Sequence, residues 1–254
     1  MSDVVTHATE RLGVLLDRAG VDDAHGLGHA LAVLAHVDRA LECADPQIGP
    51  ERALAVRLAA LLHDADDRKL FKHSVGHENA ARILRECGVD PQVAAYALRC
   101  IALVACSANG DACPPEARAA PELLWPRWAD RLEATGDVGV VRCWQYNRAC
   151  GAPIALESTP RPTDARQVWK YATPERYAAY QASGRSSSML DHFYDKLLHV
   201  ANPPADVVRN SYLESAAAER AAPLVAVCLE YARGGPDAVR HTIKEAGERV
   251  GIKI

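Results

Sequence analysis

Several things are scarce in this chain. There are 2 Phe and 2 Met in 254 residues, while Ala and Leu are plentiful, so the core is left to small aliphatic side chains and the composition leans toward helix. The 8 Cys form no C-x-x-C pair, and Cys100, Cys106 and Cys228 lie inside apolar helical patterns. Reduced, mostly buried thiols in an intracellular, cytoplasmic protein are therefore expected rather than a disulfide framework. A net charge of -4 gives no basic footprint, which disfavours bulk nucleic acid as a ligand. No apolar run reaches membrane-spanning length. The opening MSDVVTHATERLGVLL has no basic segment leading into an apolar core, so no signal peptide is expected. No stretch alternates with period two, and there is neither an internal repeat nor a low-complexity tract.

What is present is helical periodicity. Apolar spacing predicts helices near 3–19, 27–44, 50–65, 76–87, 91–106, 121–133, 135–149, 174–182, 188–199, 206–232 and 236–250. Asp90-Pro91 and Thr173-Pro174 read as helix starts, with an N-cap followed by proline in the first turn. Gly88 and Gly234-Gly235 read as stops. Residues 107–120 and 151–173 read as loops; the second is long enough to be functional or mobile.

The stretch LLHDADD, residues 61–67, does not fit the apolar run before it. Charged carboxylates are costly to bury without a partner, and a metal ion is one such partner. If the helix continues, Asp67 falls four residues after His63, roughly 40° around the axis and one turn along. Asp64 and Asp67 then share a face, and Asp66 is a solvated neighbour. Further ligands must come from elsewhere. His25 and His29 stand four apart at a helix start, and Asp130 lies in WADRLEATG. Mixed imidazole and carboxylate donors suit Mn²⁺, Fe²⁺, Zn²⁺ or Mg²⁺ rather than a soft metal.

Taken in order, His29, His63-Asp64 and Asp130, with the flanks H-x-x-x-V, L-L-H-D and A-D-R-L-E-A, resemble the H…HD…D pattern of the HD-domain metal-dependent phosphohydrolases over residues 22–150. SMLDHFYDKLL, residues 188–198, is similar to a helix of small bacterial members and extends the likeness to about residue 200. The resemblance implies an all-α HD-domain helical bundle over 1–200; beyond it the helical spacing alone predicts a C-terminal helical extension, 201–254, packed on the same domain. It implies one divalent ion (Mn, Mg, Co, Fe or Zn) held by His29, His63, Asp64 and Asp130, and a nucleotide or similar small phosphate ester as substrate. Nucleoside triphosphate pyrophosphohydrolysis is one form of that reaction.

Asp67 is assigned proton transfer, because its spacing and the family position agree. His25 contacts substrate, orients a ligand or caps the helix. Lys69, Arg68 and Arg131 flank ligands and can bind phosphate as cations, although Arg131 can equally pair with Glu133. His192 and Lys196 share a face of the helix that the resemblance places over the pocket. Trp128 departs from relatives with an acidic residue there; a core position is its commoner role, a base-stacking surface the other. His73 and His77 resemble part of a two-metal motif, yet residues 84–130 contain no histidine. That counts against a di-iron oxygenase of the same fold. A non-catalytic nucleotide-sensing module is the remaining alternative, and the wide apolar face of NSYLESAAAERAAPLVAVCLEYA suits a homo-oligomer interface or a core cover.

Overall fold

Helix α3, Pro50–Leu62, buries nearly every residue from Ala53 on: Ala55, Val56, Leu58, Ala59, Ala60, Leu61 and Leu62 are all shielded from solvent. A helix apolar on all sides has to be surrounded, and in the computed structural model, which describes residues 2–21, 26–68 and 70–254, it is. Helices α1 (Ser2–Ala19), α2 (Leu27–Glu42) and α5 (Pro91–Val104) pack against it. α1 offers Ala8, Leu12 and Leu16, one stripe at i, i+4, i+8. α2 offers Ala30, Val33, Leu34 and Val37. α4 (Glu78–Glu86) contributes Ala80, Ile83 and Leu84 and rests on α1 and α5. The chain is all-α, with no strand among the described residues.

The described chain forms two compact units. The first comprises residues up to Asp130 together with Pro204–Glu214. That returning segment is fastened there: Trp125 Nε1 donates to the Val208 carbonyl (3.0 Å), Asn210 Nδ2 to the Ala40 carbonyl (2.8 Å), and His36 Nδ1 meets the Tyr212 hydroxyl at 2.6 Å.

The second unit comprises Arg131–Pro203 and Ser215–Ile254. The helix Gly136–Ala149 begins against a tight turn: a β-carbon at Gly139 would lie 2.3 Å from the Ala134 carbonyl oxygen. Residues 189–200 form a helix with one π turn at Phe193–Leu197, burying Met189, Leu190, Phe193, Tyr194, Leu197 and Leu198. Arg176 grips this helix twice, through Nε to Asp195 (2.7 Å) and Nη2 to Asp191 (2.9 Å). The final helical stretch, Ser211–Val250, breaks at Gly235, where φ is 69°.

The predicted starts and stops hold at Asp90, Thr173, Gly88 and Gly235: Asp90 accepts from Gln92 N (2.8 Å), Thr173 Oγ1 from Arg176 N (3.3 Å), and Gly88 takes φ 66°. Three expectations need correction. The two predicted loops contain helix: Pro115–Ala119 in one and Ala165–Tyr171 in the other. The latter is capped by Asp164, which accepts from Gln167 N (2.9 Å). The stretch before it is anchored by Met189 N to Pro153 O (3.0 Å) and Leu190 N to Ile154 O (2.9 Å). No cysteine forms a disulfide, but only Cys100 and Cys228 are fully buried, and Cys43 and Cys150 are exposed. The helix expected to run to residue 65 ends at Leu62.

Candidate metal centre

His29 stands in the first turn of α2, whose other residues Ala30, Val33 and Val37 face the core. His63 caps the C-terminus of α3, and Asp64 follows it on a tight turn, with Ala65 N bonded to Leu62 O and Asp67 N to Asp64 O, both 3.1 Å. His63, Asp64 and Asp67 are thus held by successive i to i+3 turns and not by one continuous helix, so the expected 40° offset does not apply. Asp130 comes from the helix Trp125–Glu133, whose Trp125, Trp128, Ala129 and Leu132 are buried.

Three pins hold that last helix, and no motif in the sequence marks any of them. The Trp125–Val208 bond is one. Buried Arg127 is another, donating through Nε to the Leu103 carbonyl (2.7 Å) and through Nη1 to the Ala112 carbonyl (2.8 Å). The third is Glu122, 2% exposed, which accepts from Arg52 Nη1 (3.1 Å) and the Tyr96 hydroxyl (3.0 Å) and so ties the approach to α3 and α5. Trp128 is a core residue, 2% exposed, with the Arg127 guanidinium 5.7 Å from its ring centroid; it offers no stacking surface.

The four expected ligands converge. His29 Nε2 lies 3.2 Å from His63 Nε2, 3.3 Å from Asp130 Oδ1 and 3.7 Å from Asp64 Oδ2. His63 Nε2 lies 3.4 Å from Asp64 Oδ2 and 3.5 Å from Asp130 Oδ1. Ligand atoms about 2.1 Å from a common ion stand roughly 3 to 3.4 Å apart at octahedral or tetrahedral angles, so these separations fit one divalent ion. His29, His63 and Asp64 form by themselves a group able to hold a metal, and Asp130 joins through its distances to both imidazoles.

The chemistry of the donors agrees. His63 Nδ1 donates to the Ala60 carbonyl at 2.8 Å, which leaves Nε2 as the lone-pair nitrogen of the neutral ring. Two imidazole nitrogens facing each other at 3.2 Å repel unless a cation or a proton lies between them. Burial by itself would lower the His63 pKa, but the Asp64 and Asp130 carboxylates outweigh it and raise it to about 10. Burial acts on the Asp130 carboxyl in the upward direction, and the two histidines overcome it, holding that group well below the usual carboxylate range. The side chains of His63 and His29 are 1% and 9% exposed against 23% for Asp64 and 33% for Asp130, so solvent reaches the centre from the carboxylates.

The remaining expected residues are placed as follows. Asp67 is half-buried on the turn after Asp64, its carbonyl accepting from Leu70 N (2.9 Å) and Phe71 N (2.7 Å). His25 and Lys69 lie outside the described residues. Arg131 is 4% exposed, and Glu133 pairs with Arg220 (3.1 Å). His192 and Lys196 belong to the second unit. There His192 packs edge-on to Tyr180 (5.2 Å) near Ser186 Oγ (3.3 Å), and Lys196 Nζ lies 5.6 Å from the Tyr180 ring centroid. Burial, with Lys196 adding to it, pushes the His192 pKa down to about 4. His77 takes a left-handed conformation at the start of α4, and exposed His73 lines an open cavity of about 470 Å³ with Leu70, Phe71 and Lys72. Among the described residues neither histidine belongs to a group able to hold a metal.

No family model matches the chain. An uncharacterised protein of Acanthamoeba polyphaga mimivirus is 35% identical over 202 residues, spanning 74% of this chain and 80% of that protein. Solved structures share the fold. A Lactobacillus plantarum protein matches with a TM-score of 0.62 and 19% identity, covering 91% of this chain and 96% of its own. An HD-superfamily hydrolase from Bacillus thuringiensis matches at 0.57 and 20%, covering 95% of each. A Listeria innocua protein matches at 0.53 and 17%, covering 100% and 98%. Among the described residues no helix is long and apolar enough to cross a membrane.

Proposed function

We propose that the chain, which shares its fold with an HD-superfamily hydrolase, is a divalent-metal-dependent phosphohydrolase acting on a nucleotide or a similar small phosphate ester. Two imidazole nitrogens and two carboxylate oxygens separated by 3.2 to 3.7 Å carry this reading. His29, His63, Asp64 and Asp130 would hold the ion; their two neutral rings and two carboxylates balance a 2+ charge. When bound, such an ion polarises a phosphoryl oxygen and acidifies water.

The other roles fall to the chain's own residues. Asp67, one turn beyond Asp64, takes the proton of the attacking water and returns it to the leaving oxygen. With the ion's charge balanced, the substrate's negative charge calls for further cations, and Lys69 and Arg131, which flank ligands in the sequence, are assigned to it, with His25. Cleavage of a nucleoside triphosphate to monophosphate and pyrophosphate is the favoured reaction.

The test is turnover of a nucleotide panel by metal-stripped protein resupplied with Mn²⁺, Mg²⁺, Co²⁺, Fe²⁺ or Zn²⁺, with phosphate and pyrophosphate read separately and Asp64→Ala as control. Metal-dependent release lost in the control supports the proposal and names the bond cleaved. No release of either product, with metal bound at one equivalent, overturns it.

A further inference from the structure

Three aspartates crowd the turn after His63, and the middle one points away from the metal ligands' task. Asp66 is half-buried and both of its carboxylate oxygens are used. Oδ1 accepts from the Ser74 hydroxyl and from Asn79 N (2.9 Å), and Oδ2 accepts from Ala80 N (2.9 Å). Asn79 answers in the other direction, its Nδ2 donating to the Ala65 carbonyl at 3.0 Å. The clip therefore closes from both sides between residues 65–66 and 79–80.

Its chemistry explains its strength. The first N–H groups of a helix have no partner within it, and a carboxylate there is favoured by the helix dipole. The residue that should cap α4 is His77, but it lies in the left-handed region (φ 63°, ψ 38°) and its side chain makes no cap bond. Asp66 supplies the cap from upstream. The other end of the clip is the backbone on which Asp64 and Asp67 stand, and that backbone has just left α3, so no continuing helix fixes it.

We propose that Asp66, with Asn79, is a positioning residue for the metal centre: the clip sets the turn that aims Asp64 at the ion. The inference rests on reading His29, His63, Asp64 and Asp130 as a metal site, and it is independent of the substrate. Groups that orient ligands from behind typically change metal affinity by about 10- to 100-fold when lost.

The experiment titrates the metal-stripped full chain with Mn²⁺ alone, followed by calorimetry, beside thermal unfolding of the same metal-free samples. Asp66→Ala is expected to bind Mn²⁺ at least about tenfold more weakly. Asn79→Ala, which removes the bond to Ala65 and leaves every bond to Asp66, is expected to weaken binding in the same direction. Asp66→Asn, which keeps one acceptor oxygen, is expected to recover part of the loss. Should Asp66→Ala fail to fold, Asn79→Ala and Asp66→Asn decide alone. Parental Mn²⁺ affinity in the folded variants, even with a lowered Tm, overturns the proposal by making the clip purely structural. Absence of Mn²⁺ binding by the unsubstituted chain, matched by Asp64→Ala, overturns the metal centre itself and this inference with it.

Discussion

His63 donates its Nδ1 proton to the Ala60 carbonyl at 2.8 Å, and that one bond determines which ring nitrogen faces His29, Asp64 and Asp130. In the metal-free chain the facing nitrogen holds a second proton, because the two carboxylates raise the pKa from 6.5 to about 10. Metal and proton therefore compete for one atom. Mn²⁺ affinity should rise with pH between 6.5 and about 10, by about tenfold per unit where a single proton is displaced. The metal-free protein should behave in the opposite sense: stability from charged His63 is complete below pH 6.5 and is lost as pH climbs toward about 10. Calorimetric titrations in buffers of different ionisation enthalpy would detect the released proton. A pH-independent affinity would remove this account of the site.

Asp67 and Asp64 lie on one turn but are assigned different work, and substitution separates them. Asp67→Asn should lower kcat by about 10²- to 10⁴-fold, the usual span for a lost proton-transfer group, while Mn²⁺ binding stays at the parental level. Asp64→Ala should lose Mn²⁺ binding. Equal loss of metal in both variants would make Asp67 a ligand and not a proton carrier.

His192 provides a test in the acid range. Its folded pKa is pushed from 6.5 down to about 4 by burial and by Lys196. Above pH 6.5 the ring is neutral whether the chain is folded or not. As pH falls below that, the unfolded chain takes up a proton that the folded chain refuses, so stability declines until about pH 4. Denaturant unfolding at pH 7 and pH 4.5 should show this decline in the parent and a shallower one in His192→Gln. Identical pH slopes would mean that the ring is solvated.

Gly139 has no room for a side chain, since a β-carbon would meet the Ala134 carbonyl at 2.3 Å. The contact is backbone, which cannot swing aside as a side-chain end can. Gly139→Ala should destabilise the fold by about 1–3 kcal/mol, the usual range for overpacking, although alanine is the better helix former elsewhere. Equilibrium unfolding would measure it; an unchanged or raised midpoint would show that the turn opens freely.

Residue chemistry explains which parts of this architecture the sequence makes legible. Helix ends set by neighbours a few positions away, such as Asp90 before Pro91 or Thr173 before Pro174, can be read directly. Three ordered motifs likewise mark the candidate ligands His29, His63, Asp64 and Asp130. The end of α3 cannot be read this way. Its apolar pattern runs on through Leu62 to buried Ala65, and nothing local stops the helix. Asp66 reads as a solvated neighbour because its partners, Ser74, Asn79 and Ala80, stand 8 to 14 residues downstream. Asp164 did have a local signal: it precedes the helix formers Ala165, Arg166 and Gln167 inside a stretch that otherwise reads as loop.

All four candidate ligands are encoded by residue 130, but the helix that carries the last of them is fastened to Val208, and α2 to Asn210 and Tyr212. During synthesis the ligands emerge from the ribosome long before the segment that secures their helices. Closing so long a loop is a slow, non-local step. The order of events follows from these bonds: metal captured by a nascent chain meets an unfinished scaffold, and a chain cut short before residue 204 keeps every ligand while losing the fastening.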